Sequence, residues 1–176
     1  GWAVTLEAHR RRDTMSTVGM IQGRDGRAII DVIGLGAGVY DRLRELNVRP
    51  LAYTGSSRAN VRDRSGKFGF LNTRSAAYWN LRELLDPAYE PTLALPPADL
   101  IISDLTTPTW AVTTGLPPKI QVETKDKVVE RLGRSPDRGD AVAMALWADK
   151  HRAGSGGFVE PVGQMPSTGL SPLGGR

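Results

Sequence analysis

The chain has 176 residues, 40% of them hydrophobic and 24% charged, with a formal net charge of +4, two histidines and no cysteine. That length suits one core of ordinary size rather than two. The missing cysteines exclude disulfides, thiolate catalysis and cysteine-ligated zinc. His9 and His151 lie too far apart in sequence to suggest a histidine metal site or a Ser-His-Asp triad. Any metal would therefore be held by carboxylates. The basic balance, with a pI near 9.7, agrees with a polyanionic partner without demanding one. No apolar run approaches the ~20 residues that span a bilayer, and the N-terminal segment lacks the pattern of a secretion signal.

In chain order, residues 2–9 alternate apolar and polar and predict a strand with one buried face, followed by Arg10, Arg11 and Arg12. Asp13 or Thr14 can cap a helix through Gln22, and the GRDG turn leads into an apolar, β-branched run at 27–33 that predicts a second strand. Val39, Leu43 and Leu46 give a helix over 38–46 its inner stripe, and RPLAYTG predicts a third strand. Strand, helix and strand at this spacing form a parallel crossover of an α/β sheet. Residues 56–69 are polar and basic and predict a surface loop. A helix follows at 73–85, with Ala77, Leu81 and Leu84 inward, and stops at Asp86-Pro87. A short helix is expected over 97–105, a β-hairpin from TWAVTT and KIQVETK, and a last helix from Pro136 to about His151. The remainder, rich in Gly, Pro and Ser, predicts a domain over 1–152 with a disordered tail over 153–176.

Asp31 stands inside the apolar run AIIDVIGLGAG. An ionised carboxylate in a dry strand needs a cation or several donors. One reading makes it a half-wet structural residue, bonded to the amides of a turn at Gly34, Gly36 and Gly38; another makes it a ligand. The last helix favours the second. Ser135 and Pro136 mark its start, and Asp137, Asp140, Ala141, Met144, Ala145 and Ala148 then share one face, apolar except for its two acids. Asp137 in the first turn complements the helix dipole, but Asp140 lies deeper. Strand ends form the crevice of an open α/β sheet, so Asp31 and Asp140 can meet there. Carboxylates without histidine or cysteine suit Mg²⁺ or Mn²⁺, and carboxylate-held metal pairs cleave phosphodiesters. Lys125, Lys127, Arg131 and Arg134 just upstream read either as a rim for a phosphate backbone or as a solvated face. A nucleotide-binding α/β domain is the rival reading of the glycines, but Val39 stands where the dinucleotide fingerprint needs its third glycine.

Taken together, EAHRRRDTMSTVGMIQ, IIDVIGLGAGVYDRLREL, FLNTRSAAYWNLRELL, ADLIISDL and VETKDKVVERLGRSPDRGDAVAMAL resemble, in this order, the C-terminal nuclease domain of tailed-phage terminase large subunits. The resemblance covers roughly residues 3 to 150. It implies a ribonuclease H-like mixed sheet flanked by helices, and a two-metal endonuclease using Mg²⁺ or Mn²⁺ to cut double-stranded concatemeric DNA in the cytoplasm of a bacterial host. It implies the portal protein and the small terminase subunit as partners. By motif match Asp31 and Asp140 are metal ligands and catalytic residues, with Asp137 as neighbour or substitute. Residues 2–9 match the third strand of the family's meander, so the first two strands, and with them one metal Asp, are expected to be lacking; Glu7 is poorly placed to replace it. The alternative class is then a catalytically inactive fragment or DNA-binding packaging module.

Overall fold

The computed structural model describes residues 7–9, 13–89 and 93–154, with side chains described as far as Trp147. The strand expected at 2–9 lies mostly outside the described residues; where it enters them, residues 7–9 are not in a strand. Arg10 to Arg12 and the expected tail also lie outside them, apart from the end of the last helix.

Helix α1, Thr14–Gln22, starts where a cap is available: Asp13 accepts a hydrogen bond from the Ser16 amide at 2.8 Å. Strand β1, Ile29–Asp31, helix α2, Leu35–Glu45, and strand β2, Leu51–Tyr53, make the expected parallel crossover, with Asp31 opposite Tyr53. Val18 of α1 packs with Val39 and Leu43 of α2 in a small core that Ile30 and Leu46 help to close.

The second sheet has the order β3-β5-β4, from Gly69–Phe70, Trp110–Val112 and Lys119–Val122. The expected hairpin is present as β4 antiparallel to β5, while β3, a parallel partner of β5, falls at the end of the stretch expected to be loop. The described strands are thus divided between two small sheets. Helix α3, Thr73–Leu85, is capped by the Asn72 side chain, which accepts from the Ser75 amide at 2.9 Å. It packs on helix α6, Asp137–Gly154, across the main core of Phe70, Ala77, Leu81, Ile120, Val142 and Trp147. Helix α4 is Asp99–Thr106, and α5, Lys125–Leu132, is a helix the sequence pattern did not single out. No helix among the described residues is long and apolar enough to cross a membrane.

Two expectations need correction. Gly34, Gly36 and Gly38 do not form one turn: only Gly34 has a positive φ, 70°, while Gly36 and Gly38 lie within α2. Gly36 is required by proximity, since a Cβ there would sit 1.8 Å from the Asp31 carbonyl oxygen. The face of α6 that carries Asp137, Asp140, Ala141 and Met144 is not its core face. The core receives Val142, Ala143 and Trp147, with Gly139 buried against Asp104. The acid-bearing stripe turns instead to a cavity.

Candidate metal centre

That cavity, of about 510 Å³, lies where the end of β1 meets the starts of α3, α5 and α6, and Asp31, Asp137 and Asp140 all line it. Asp31 is therefore brought to one space with two acids more than a hundred residues further along the chain. Asp31 ends its strand exposed rather than dry, and its Oδ1 accepts a long hydrogen bond, 3.2 Å, from the Ile33 amide.

Asp140 is half-buried and well partnered. Its Oδ1 accepts from the Tyr78 hydroxyl at 2.7 Å and its Oδ2 lies 2.9 Å from Lys125 Nζ. The same ammonium stands 3.0 Å from Asp137 Oδ1, which also accepts from the Ser135 hydroxyl at 2.5 Å. Burial pulls the Lys125 pKa down, but its hydrogen bonds to Asp140 and Asp137 outweigh this and raise it above the ordinary lysine value. Asp137 is held below the usual carboxylate range, first by the Ser135 hydrogen bond and then, against a burial penalty, by Lys125. Burial, reinforced by the Asp140 charge, pushes both Tyr53 and Tyr78 up, so both stay neutral phenols. Arg74 also reaches the cavity, its Nε 3.4 Å from Asp140 Oδ1.

The donor set matches a hard divalent ion in kind, since all three candidates are carboxylates. Lys125 shows that Asp137 and Asp140 already grip one cation between them. Among the described residues, however, no three acids or imidazoles stand close enough together to make a ready ligand group. In kind, though not in arrangement, the residues suit a cation, and two of the three acids, Asp137 and Asp140, are bound to a lysine.

The basic segment has a different fate from its expected one. Besides Lys125, Arg131 is tied to Glu123 and to the Thr107 carbonyl, and Arg134 to the fully buried Asp104 at 2.5 Å. Lys127 remains exposed. Asp104 was not singled out from the sequence, although it interrupts an apolar helix. It also accepts from the amides of Arg138 and Gly139, both at 3.1 Å, and so caps α6 from α4. Tyr78 and Arg74 were missed as well; nothing local distinguishes them from ordinary helix residues.

No family model and no characterised protein matches the sequence. Solved structures match in fold. A manganese-bound point mutant of the nuclease domain of large terminase subunit gp2 of bacterial virus Sf6 superposes with a TM-score of 0.55 at 19% identity, covering 74% of this chain and 69% of that one. The unmutated Sf6 nuclease domain gives 0.54 at 20% identity, covering 74% and 68%. A calcium-bound form of the mutant gives 0.55 at 19%, with the same coverage as the unmutated domain. The chain thus has the mixed α/β fold seen in the nuclease domain of a phage large terminase subunit.

Proposed function

We propose that this chain is a divalent-metal-dependent nuclease domain of a phage DNA-packaging terminase. The observation that carries this reading is the convergence of Asp31, Asp137 and Asp140 on one cavity, in the fold of a domain whose solved forms hold manganese or calcium. The finer features are part of the same proposal: a ribonuclease H-like core, Mg²⁺ or Mn²⁺ in a two-metal site, and cutting of concatemeric double-stranded DNA. So are the portal protein and small terminase subunit as partners, in the cytoplasm of a bacterial host.

Asp31 and Asp140, with Asp137 beside them, would hold the ions. When bound, such ions supply an activated water and neutralise charge on a scissile phosphate. The chain's own residues prepare the acids. Tyr78 fixes the Asp140 carboxylate through its hydroxyl, the Ile33 amide orients Asp31, and Lys125 keeps Asp137 and Asp140 from repelling each other in the free protein. Of the expected basic rim, Lys127 is the side chain best placed to meet a backbone phosphate, being exposed on α5.

The test is plasmid nicking with Mn²⁺ by the chain and by Asp31→Asn and Asp140→Asn. Nicking that falls to background in both variants supports the reading, and nicking that persists in Asp31→Asn sinks it. A second reading, a DNA-binding packaging module that does not cut, is favoured by the occupation of Asp137 and Asp140 by Lys125. It predicts DNA binding with no Mn²⁺ uptake in a calorimetric titration.

A further inference from the structure

Arg74 holds an arrangement that the fold alone does not require. Its Nη1 donates to the Glu123 carbonyl at 2.5 Å and its guanidinium carbon lies 4.6 Å from the centre of the Tyr78 ring, so the head group is fixed by a hydrogen bond and by stacking. Its other edge is different. Nε and Nη2, shut off from bulk solvent, have no hydrogen-bond partner in the protein. Asp140 stands beside them, Nε lying 3.4 Å from its Oδ1, an ion-pair distance without a hydrogen bond; that oxygen accepts from Tyr78, and Oδ2 lies beside Lys125.

Buried donors left without acceptors are costly and rare, and they call for an explanation where they persist. The Nε and Nη2 hydrogens point side by side, the fork that takes two oxygens of one planar or tetrahedral oxyanion. Arg74 is one of the residues that line the cavity with the three acids. The start of α3 cannot be the anion site in its place. The amides of Thr73, Arg74 and Ser75 already donate to the Ser57 carbonyl, the Gly55 carbonyl and the Asn72 side chain.

We infer that the Nε/Nη2 edge of Arg74 is a phosphate-binding fork that takes two non-bridging oxygens of one phosphodiester of the DNA backbone. The inference rests on the reading of the cavity as a nucleic-acid site, and it adds a substrate contact to it. The fork makes no new bond and transfers no proton; it fixes one phosphate relative to Asp140.

The test uses a short duplex DNA and the intact chain in EDTA, so that binding is read without cleavage, at several salt concentrations. Arg74→Gln is expected to weaken binding roughly tenfold or more and to lower the slope of log affinity against log salt by about 0.9, the share of one phosphate. Arg74→Lys keeps the charge but loses the fork; it is expected to keep the slope and lose several-fold in affinity. It also serves if the glutamine variant fails to fold. Wild-type affinity in both variants, or an unchanged slope in a folded Arg74→Gln, overturns the inference. So does a change confined to Mn²⁺ affinity, which would make Arg74 only a positioner of Asp140. The two failures are separable: a wild-type chain that binds DNA through Arg74 but never nicks it removes the nuclease reading and leaves the fork standing.

Discussion

Asp31 and Asp104 are both carboxylates set among apolar neighbours, and the fold treats them in opposite ways. Asp104 is fully buried and accepts from Arg134 and from two backbone amides of α6, while Asp31 is exposed at a strand end with one weak hydrogen bond. Removing one partner of a buried pair leaves an uncompensated charge, so Asp104→Ala is expected to lower unfolding free energy by about 3–5 kcal/mol. Asp31→Asn should change it by less than about 1 kcal/mol. Urea denaturation of the two variants checks the contrast. The reasoning from sequence that drew attention to Asp31 applies equally to Asp104. It cannot separate a ligand from a structural acid, because the partner that decides, Arg134, is distant in sequence. Arg74 and Tyr78 were illegible for the same reason, since each acquires its role only when α3 meets α6. A third carboxylate offers a pH test. Although burial opposes it, Asp63 is held below the usual range by hydrogen bonds from Ser65 and the Phe68 amide. A depressed folded pKa contributes stability above the unfolded value, near 4, that is lost as pH falls through the folded one. Asp63→Ala should flatten the stability profile below about pH 4, as read from melting temperature against pH.

At the scale of elements, the start of α1 was legible because Asp13 marks it, and Asp86-Pro87 closes α3 where expected. The Asn72 cap was not read, and Ser135, expected to cap α6, gives its hydroxyl to Asp137 while Asp104 takes the first-turn amides. The start of α2 was misplaced because three glycines suggest a turn, whereas one of them, Gly36, serves the close packing of a helix end on a strand. Gly36→Ala would force its Cβ into the Asp31 carbonyl and drive the strand end away from α2. The expected result is a melting temperature lower by roughly 5 °C or more together with loss of nicking, checked by calorimetry and the plasmid assay. The face of α6 was read one stripe away from its core face because alanine and methionine look apolar wherever they point. The same stripe carries Asp137 and Asp140 together, and both line one cavity with Asp31. The helix of α5 was hidden by its charges, which dominate its pattern; Val128 is its one fully buried residue.

For the molecule as a whole, Lys125 is the tie between α5 and α6. Lys125→Met removes the cation shared by Asp137 and Asp140 and leaves only Arg74 beside Asp140, so the metal-free chain is expected to melt roughly 2–4 °C lower. Mn²⁺ should then stabilise the variant more than the parent, because the ion no longer competes with an ammonium. A thermal-shift titration reads both effects, and an equal Mn²⁺ shift in both proteins refutes the tie. A further property does not depend on any one side chain. Three helices, α3, α5 and α6, begin at the cavity wall, so the positive ends of three backbone dipoles point toward one place. Side-chain substitution cannot remove this field. It is a constant background that favours the ionised form of the carboxylates at the wall, and it remains after Arg74 and Lys125 have both been neutralised.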